Sequence, residues 1–268
     1  MSLETIKTVE DLSLNAWPSH QMQVYDGWIL RFSYFYTHRT NCVETIGPAQ
    51  LPLPEKVAYC EEVYEKWRTP CVFKISPLTT PALELYLAER GYEEQHRVDN
   101  MVLDLASFGD APLPDPALPL ITGDRVDDEW LEGLFELKDV TNADHRRVVP
   151  SMYAAIPKDE ITVKVLDHEG HIAGTGLGIL DRGYVGVYAI HVREDCRRQG
   201  LAEAIVRTIL TEGAKQGASK AYLQVVSENE PARRLYEKLG FTQLGTIPGG
   251  FRMPDGSYAD ICPYYHEL

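Results

Sequence analysis

The chain lacks most of what would tie it to a membrane, a disulfide framework or a nucleic acid. No uninterrupted apolar run approaches the roughly 18 residues needed to cross a bilayer, so no membrane span is expected. The opening Met1-Ser2-Leu3-Glu4-Thr5-Ile6-Lys7 has neither the basic segment nor the apolar stretch of a secretion signal. Cysteine is sparse: Cys42, Cys60, Cys71, Cys196 and Cys262 form an odd set of five with no C-x-x-C pair. That spacing argues against a disulfide framework and a structural zinc site, and scattered reduced thiols fit the cytoplasm. No other constellation has metal-ligand spacing, and no metal is expected. Basic residues are few, 26 Lys and Arg against 40 Asp and Glu, and the net charge of −14 argues against nucleic-acid binding. The deficit is even, with nine basic and sixteen acidic residues up to position 110 and seventeen and twenty-four beyond it. It would suit a cationic ligand, but acidic proteins carry such charge for solubility alone, so composition identifies no partner.

What is present is enough apolar material, 44% of 268 residues, for well-formed cores, and two domains are more natural than one. A break is visible from Gly109 to Pro119, where four prolines favour an extended linker. The expected division is therefore residues 1–108, a linker at 109–119, and residues 120–268.

The most informative stretch is Arg197-Arg198-Gln199-Gly200-Leu201-Ala202. Before it, Tyr184 to Val192 is rich in β-branched and aromatic residues and reads as a strand. After it, Leu201, Ala204, Ile205, Thr208 and Ile209 recur at the spacing of an amphipathic helix. A helix start carries backbone N–H groups without intrahelical partners. Gly200 and Ala202 keep that start free of bulk, and Arg197 and Arg198 add positive charge at the favourable end of the helix dipole. The pattern reads as a pyrophosphate cradle; a surface arginine pair beside an ordinary glycine is the plainer alternative. The loop is Arg-x-x-Gly-x-Ala and not G-x-G-x-x-G, which disfavours a dinucleotide site. Downstream, Ala221 to Ser227 reads as a strand. Asn229 then suits an N-cap, Pro231 a first helical turn, and Gly240 the left-handed C-terminal position.

Arg-x-x-Gly-x-Ala followed by Asn-x-x-Ala-x-x-Leu-Tyr-x-x-x-Gly-Phe resembles the GCN5-related N-acetyltransferase (GNAT) superfamily over about residues 120–268, most clearly from Tyr184 to Phe241. The resemblance implies an α/β (α+β) fold with a mixed, mostly antiparallel sheet splayed near Ile190 and flanked by helices. It also implies acetyl-CoA as co-substrate. The main chain of Ile190, His191 and Val192 would pair with the pantetheine arm and hold the thioester carbonyl. Amides from Arg197, Arg198, Gln199, Gly200, Leu201 and Ala202 would take the pyrophosphate, and Asn229 would bind near the pantetheine. Tyr236 would give a proton to the departing thiolate; its plainer reading is an aromatic ring packing its helix onto the sheet. The implied reaction is direct attack by a primary amine of a small molecule or peptide, without an acetyl-enzyme. The alternative is a CoA sensor or partner-binding protein without turnover.

The base stays open. Many family members carry a Glu on the strand before the cradle, but that register places Gly186 there. Tyr188, two residues on and on the same face, is placed to touch substrate or a water chain. Glu228, Asp181, His191 and His145 are further candidates, each as readily surface or core. Cys196, beside the arginines, reads as somewhat reactive or simply exposed.

The first half reads as a degenerate copy of the same fold. Cys71 to Ser76 is a strand, a helix runs through Leu83, Leu87 and Ala88 to Gly91-Tyr92, and Met101 to Leu105 is another strand. Aligning Gly91-Tyr92 on Gly240-Phe241 puts Leu87 at the place of Tyr236 and Thr80 at that of Asn229. The preceding Gly47 to Glu55 has no glycine cradle, and its prolines remove amide donors, so no CoA is expected there. Trp28-Ile29-Leu30-Arg31-Phe32, then Tyr34, Tyr36, Arg39 and Asn41, read either as an aromatic wall of an acceptor pocket or as sheet core with an aromatic surface. In the second half, helices are expected over Asp127 to Leu137 and His145 to Ala155. Strands are expected over Ile161–Leu166 and Ile172–Leu180, and a late hairpin turned at Pro254-Asp255-Gly256, with Tyr258–Tyr265 returning.

Overall fold

The computed structural model describes residues 3–95, 97–108 and 116–244, with the backbone of three strands at 247–252, 258–261 and 264–267. Helix α1 (Leu3–Ala16) precedes a hairpin of β1 (Gln21–Tyr25) and β2 (Trp28–Phe32), turned at Asp26 and Gly27, both at positive φ. A Cβ on Gly27 would lie 2.3 Å from the Pro48 carbonyl oxygen, so only glycine fits. There follow β3 (Val43–Thr45), α2 (Leu53–Lys66), β4 (Phe73–Ile75), α3 (Pro81–Glu89), β5 (Glu93–Glu94) and β6 (Val98–Asp104). The second half runs β7 (Leu120–Gly123), α4 (Asp128–Leu137), α5 (Ala143–Ala154), β8 (Asp159–Leu166), β9 (Ile172–Asp181) and β10 (Tyr184–Val192). It continues through α6 (Leu201–Lys215), β11 (Lys220–Val226), α7 (Glu230–Lys238), β12 (Thr242–Gln243), β13 (Ile247–Arg252), β14 (Tyr258–Ile261) and β15 (Tyr264–Glu267).

Two large mixed sheets result, ordered β1-β2-β3-β4-β15-β5 and β12-β6-β11-β10-β9-β8-β7. Each holds one parallel pair, β3 with β4 and β10 with β11, among antiparallel neighbours. This is the α/β architecture the sequence implies. The correspondence between the halves is also local. Tyr92 N–H donates to the Leu87 carbonyl at 3.0 Å, and Phe241 N–H to that of Tyr236 at 3.0 Å. Gly91 and Gly240 take φ of +87° and +92° between them.

Two strands cross between the halves. β6, upstream of the Pro-rich run, pairs along its whole length with β11, from Val98–Val226 to Asp104–Lys220. β15 pairs with β4 and β5 in the first sheet. The late hairpin is therefore β13 with β14 alone, and Tyr258–Tyr265 is not one returning strand; its turn lies outside the described residues, as do residues 109–115. The cores are likewise joined. Ile6, Val9 and Leu12 of α1 pack in one cluster with Trp130, Leu134, Met152 and Tyr188. Burying each such side chain contributes about 1.5–3 kcal/mol, which fixes the relation between the halves. Among the described residues no helix is long and apolar enough to cross a membrane.

Candidate active site

The second sheet opens where the sequence places its key residues. β10 and β11 pair only from Tyr184–Lys220 to Val187–Leu223, although β10 continues to Val192 and β11 to Val226. The cause lies on the other edge of β10. Its register against β9 shifts between Tyr188 and His191, with Ala189 at φ +49°. The bulge swings the end of β10 away and leaves its β11-facing edge without a strand partner.

A cleft of about 860 Å³ occupies that gap. Ile190, His191 and Val192 line one side, and Arg197, Arg198, Gly200, Leu201 and Ala202 one end. Asn229 and Tyr236 of the α7 segment face them. Gln199 stands apart: its side-chain Nε2 donates to the Asp195 carbonyl at 3.4 Å, and the residue does not line the cleft. Gly200 is the N-cap of α6 at φ +78°, with no side-chain cap on that helix. The first amides of α6 thus have no side-chain cap, and a Cβ at Gly200 would meet nothing within 4 Å. The guanidinium of Arg198 has no ion pair among the described residues, while Arg197 reaches Glu194 at 3.5 Å. Arg193 anchors the loop through Asp167 and Asp195, each at 2.8 Å, and holds the Asp167 carboxyl down to about 2. Glu203 also faces this end, a carboxylate unflagged in the sequence. Lys238 at 2.6 Å and Arg207 at 3.2 Å keep it ionised and neutralise its charge.

The α7 segment is set by the exchanged strand. Asp99 of β6, buried, accepts from Ser227 Oγ at 3.0 Å and pairs with Arg233 at 3.1 Å. Asn229 Oδ1 caps the Ala232 amide at 3.3 Å, leaving Nδ2 for a ligand. The Tyr236 ring is buried edge-on to Phe241, and its hydroxyl has no hydrogen-bond partner among the described residues. Burial pushes its pKa up to about 12, partly offset by Arg39, so it is protonated at neutral pH. Cys196 is buried in the cleft wall, and burial raises its thiol pKa. The reactive or exposed thiol considered from sequence is thus replaced by a buried, protonated one.

A second cavity, of about 260 Å³, adjoins the cleft at His191, which lines both. Tyr36 and Arg39 come to it from the first half, and Lys138, Tyr153 and Tyr188 from the second. Asn41 is instead a buried scaffold, accepting from Ser33 N at 2.6 Å and Phe35 N at 2.9 Å. The candidate bases separate clearly. Asp181 is engaged by Lys158 and Asn15, Glu228 is exposed and lines neither cavity, and His145 is tied to the Tyr34 carbonyl at 3.0 Å. Gly186 has no room for a side chain: a Cβ would lie 2.6 Å from both the Tyr188 and Tyr222 rings, whose hydroxyls bond at 2.7 Å. His191 remains, held neutral by burial, Lys138 and Arg197, which bring its pKa down to about 4. Sequence reasoning missed Lys138 and Trp17, whose place in the cavity depends on tertiary packing alone. Among the described residues no group of His, Cys, Asp and Glu is arranged to hold a metal.

A family model described as "Probable histone acetyltransferase Rv0428c C-terminal" matches residues 4–245. The chain is 26% identical over 243 residues to the uncharacterized N-acetyltransferase YobR of Bacillus subtilis, covering 90% of this chain and 96% of that one. A GCN5-related N-acetyltransferase from Kribbella flavida superposes with a TM-score of 0.65 at 15% identity, over 98% of this chain and 94% of that one. A tandem GNAT protein from the clavulanic acid biosynthesis pathway gives 0.56 at 17% identity, over 80% and 69%. These two structural likenesses concern the fold.

Proposed function

Since the chain belongs to the acetyltransferase family whose model spans residues 4–245, within the GNAT superfamily, we propose that it transfers an acetyl group from acetyl-CoA to a primary amine of a small molecule or peptide. One observation carries this reading: an unpaired strand edge, an uncapped helix start and a protonated phenol share one cleft. A second cavity adjoins the cleft at His191, which lines both. Acetyl-CoA would supply an activated acetyl thioester. The amides of Gly200, Leu201 and Ala202, with the charge of Arg197 and Arg198, fit its pyrophosphate. The free edge of β10 at Ile190–Val192 and the Asn229 amide suit its pantetheine arm.

The remaining chemistry belongs to the chain. An uncharged amine held at the His191 end forms the C–N bond as the C–S bond breaks, and gives up one proton to His191 or water. Tyr236 delivers a proton to the leaving sulfur and recovers one from solvent. Much of the rate comes from holding both reactants in line. The buried, protonated Cys196 supports direct transfer over an acetyl-enzyme. The four described cysteines are free and buried, which supports a reducing, cytoplasmic location.

The test is calorimetric titration with CoA followed by acetyl-CoA turnover across an amine panel. Tyr236→Phe should lower kcat by about 10²–10⁴ while retaining CoA affinity. CoA binding without turnover of any amine would favour a sensor, and absence of CoA binding would end the proposal.

A further inference from the structure

The second cavity has a charge opposite to that of the molecule. Against a net charge of −14, none of the described residues lining it is acidic, and two are cations. The guanidinium of Arg39 has no ion pair or hydrogen bond among the described residues, which is costly for a half-buried charge unless a ligand completes it. Lys138 is exposed as a residue, yet its ammonium lies 4.7 Å from the Tyr36 ring centroid and donates to the Tyr36 hydroxyl at 3.1 Å. Among the described residues it has no carboxylate partner either. The carboxylates behind the cavity are engaged elsewhere: Glu10 by Lys74, and Glu160 by the Val126 amide at 2.8 Å. The walls between are aromatic, from Trp17, Tyr36, Tyr153 and Tyr188. The volume, about 260 Å³, is just under that of sites for drug-sized ligands. A polyamine would place like charge against Arg39 and Lys138.

We propose that the acceptor is an amino-carboxylate of amino-acid size with an apolar or aromatic body. Arg39 and Lys138 hold its carboxylate, the rings enclose its body, and its amine faces His191 and the cleft. A guanidinium fork suits a planar carboxylate by two parallel hydrogen bonds. The assignment rests on the acetyl-transfer reading above and names its substrate class.

The full chain is assayed with acetyl-CoA and leucine, phenylalanine and tyrosine, each against its own amide, with spermidine and phosphoethanolamine alongside. The acids should exceed their amides in kcat/KM by roughly tenfold or more, the scale of a charge-assisted hydrogen bond, and spermidine should be the poorest acceptor. Arg39→Gln should bring the acid-to-amide ratio toward unity through KM of the acid, and Arg39→Lys should keep part of the preference. Lys138→Gln provides the same readout if Arg39→Gln does not fold. Preference for an amide, spermidine or phosphoethanolamine overturns the proposal, as does an equal loss on acid and amide in Arg39→Gln. Binding of the acids to the CoA complex is followed in parallel by tryptophan fluorescence. Arg39-dependent binding without acetyl transfer removes the reaction and keeps the pocket assignment. Acetylation confined to uncharged amines does the reverse, and failure of every acid to bind or react removes the pocket assignment.

Discussion

Gly200 begins α6 at φ +78° with empty space where a side chain would stand. A Cβ there meets no protein atom within 4 Å, so the expected effects are a backbone cost of about 1–2 kcal/mol and atoms placed in the path proposed for a phosphate. Gly200→Val should fold with a modestly lower melting temperature and lose most CoA affinity by calorimetry. Leu87 occupies in the first half the place of Tyr236 and is fully buried. Leu87→Ala should cost about 2–5 kcal/mol of stability and keep CoA affinity; equal losses of affinity would break the assignment of roles. The N-cap at Asn229 and the left-handed Gly240 were legible in the sequence because caps and turns are local properties, whereas Tyr236 was singled out by the family resemblance. The absence of a carboxylate at Gly186 was legible too, but its reason was not. Tyr188 and Tyr222, 34 positions apart, meet over that glycine, and no local pattern announces such a pairing.

The segment from Ser33 to Asn41 carries Tyr36 and Arg39 to the junction and departs from regular structure. Tyr34 and Phe35 take φ of +52° and +57°. Asn41 binds the segment with both ends of its amide, accepting from Ser33 and Phe35 and donating to the Thr37 carbonyl at 2.6 Å. Arg31 adds a bond to the Arg39 carbonyl at 2.6 Å, and Trp17 Nε1 one to Thr37 at 3.2 Å. Asn41→Ala would strand two amides, at about 1–3 kcal/mol each. Thermal denaturation should show that loss, and steady-state kinetics should show a raised KM for the acceptor with CoA affinity kept. The regular elements were easier to read: Asp127 caps α4 through the Trp130 amide at 2.7 Å, close to its expected start. The run from Trp28 to Asn41 was read as wall or core without separating the two. A motif shows which residues recur, not which of them faces inward.

At the scale of the whole chain, proline composition suggests a boundary at residues 109–119, but it could not say which sheet the strand before it joins. The apolar pattern of β6 satisfies either, and its partner is chosen by contacts such as Asn100 with Gln224, 124 positions apart. Each half therefore lends a strand to the other. Expressed alone, residues 1–108 and 109–268 should each expose unpaired strand edges and associate or precipitate; co-expressed, they should form one particle that binds CoA. Size-exclusion chromatography and calorimetry decide this, and two separately soluble, cooperatively melting monomers would contradict the exchange.

The same strand sets a timetable. β6 leaves the ribosome with its neighbour β11 still more than a hundred residues from synthesis, and must wait without a hydrogen-bonding partner until almost the entire chain has emerged. Maturation should thereby be a late event, in which the wall of the second cavity, the α7 anchor at Asp99 and the cleft beside β10 come together.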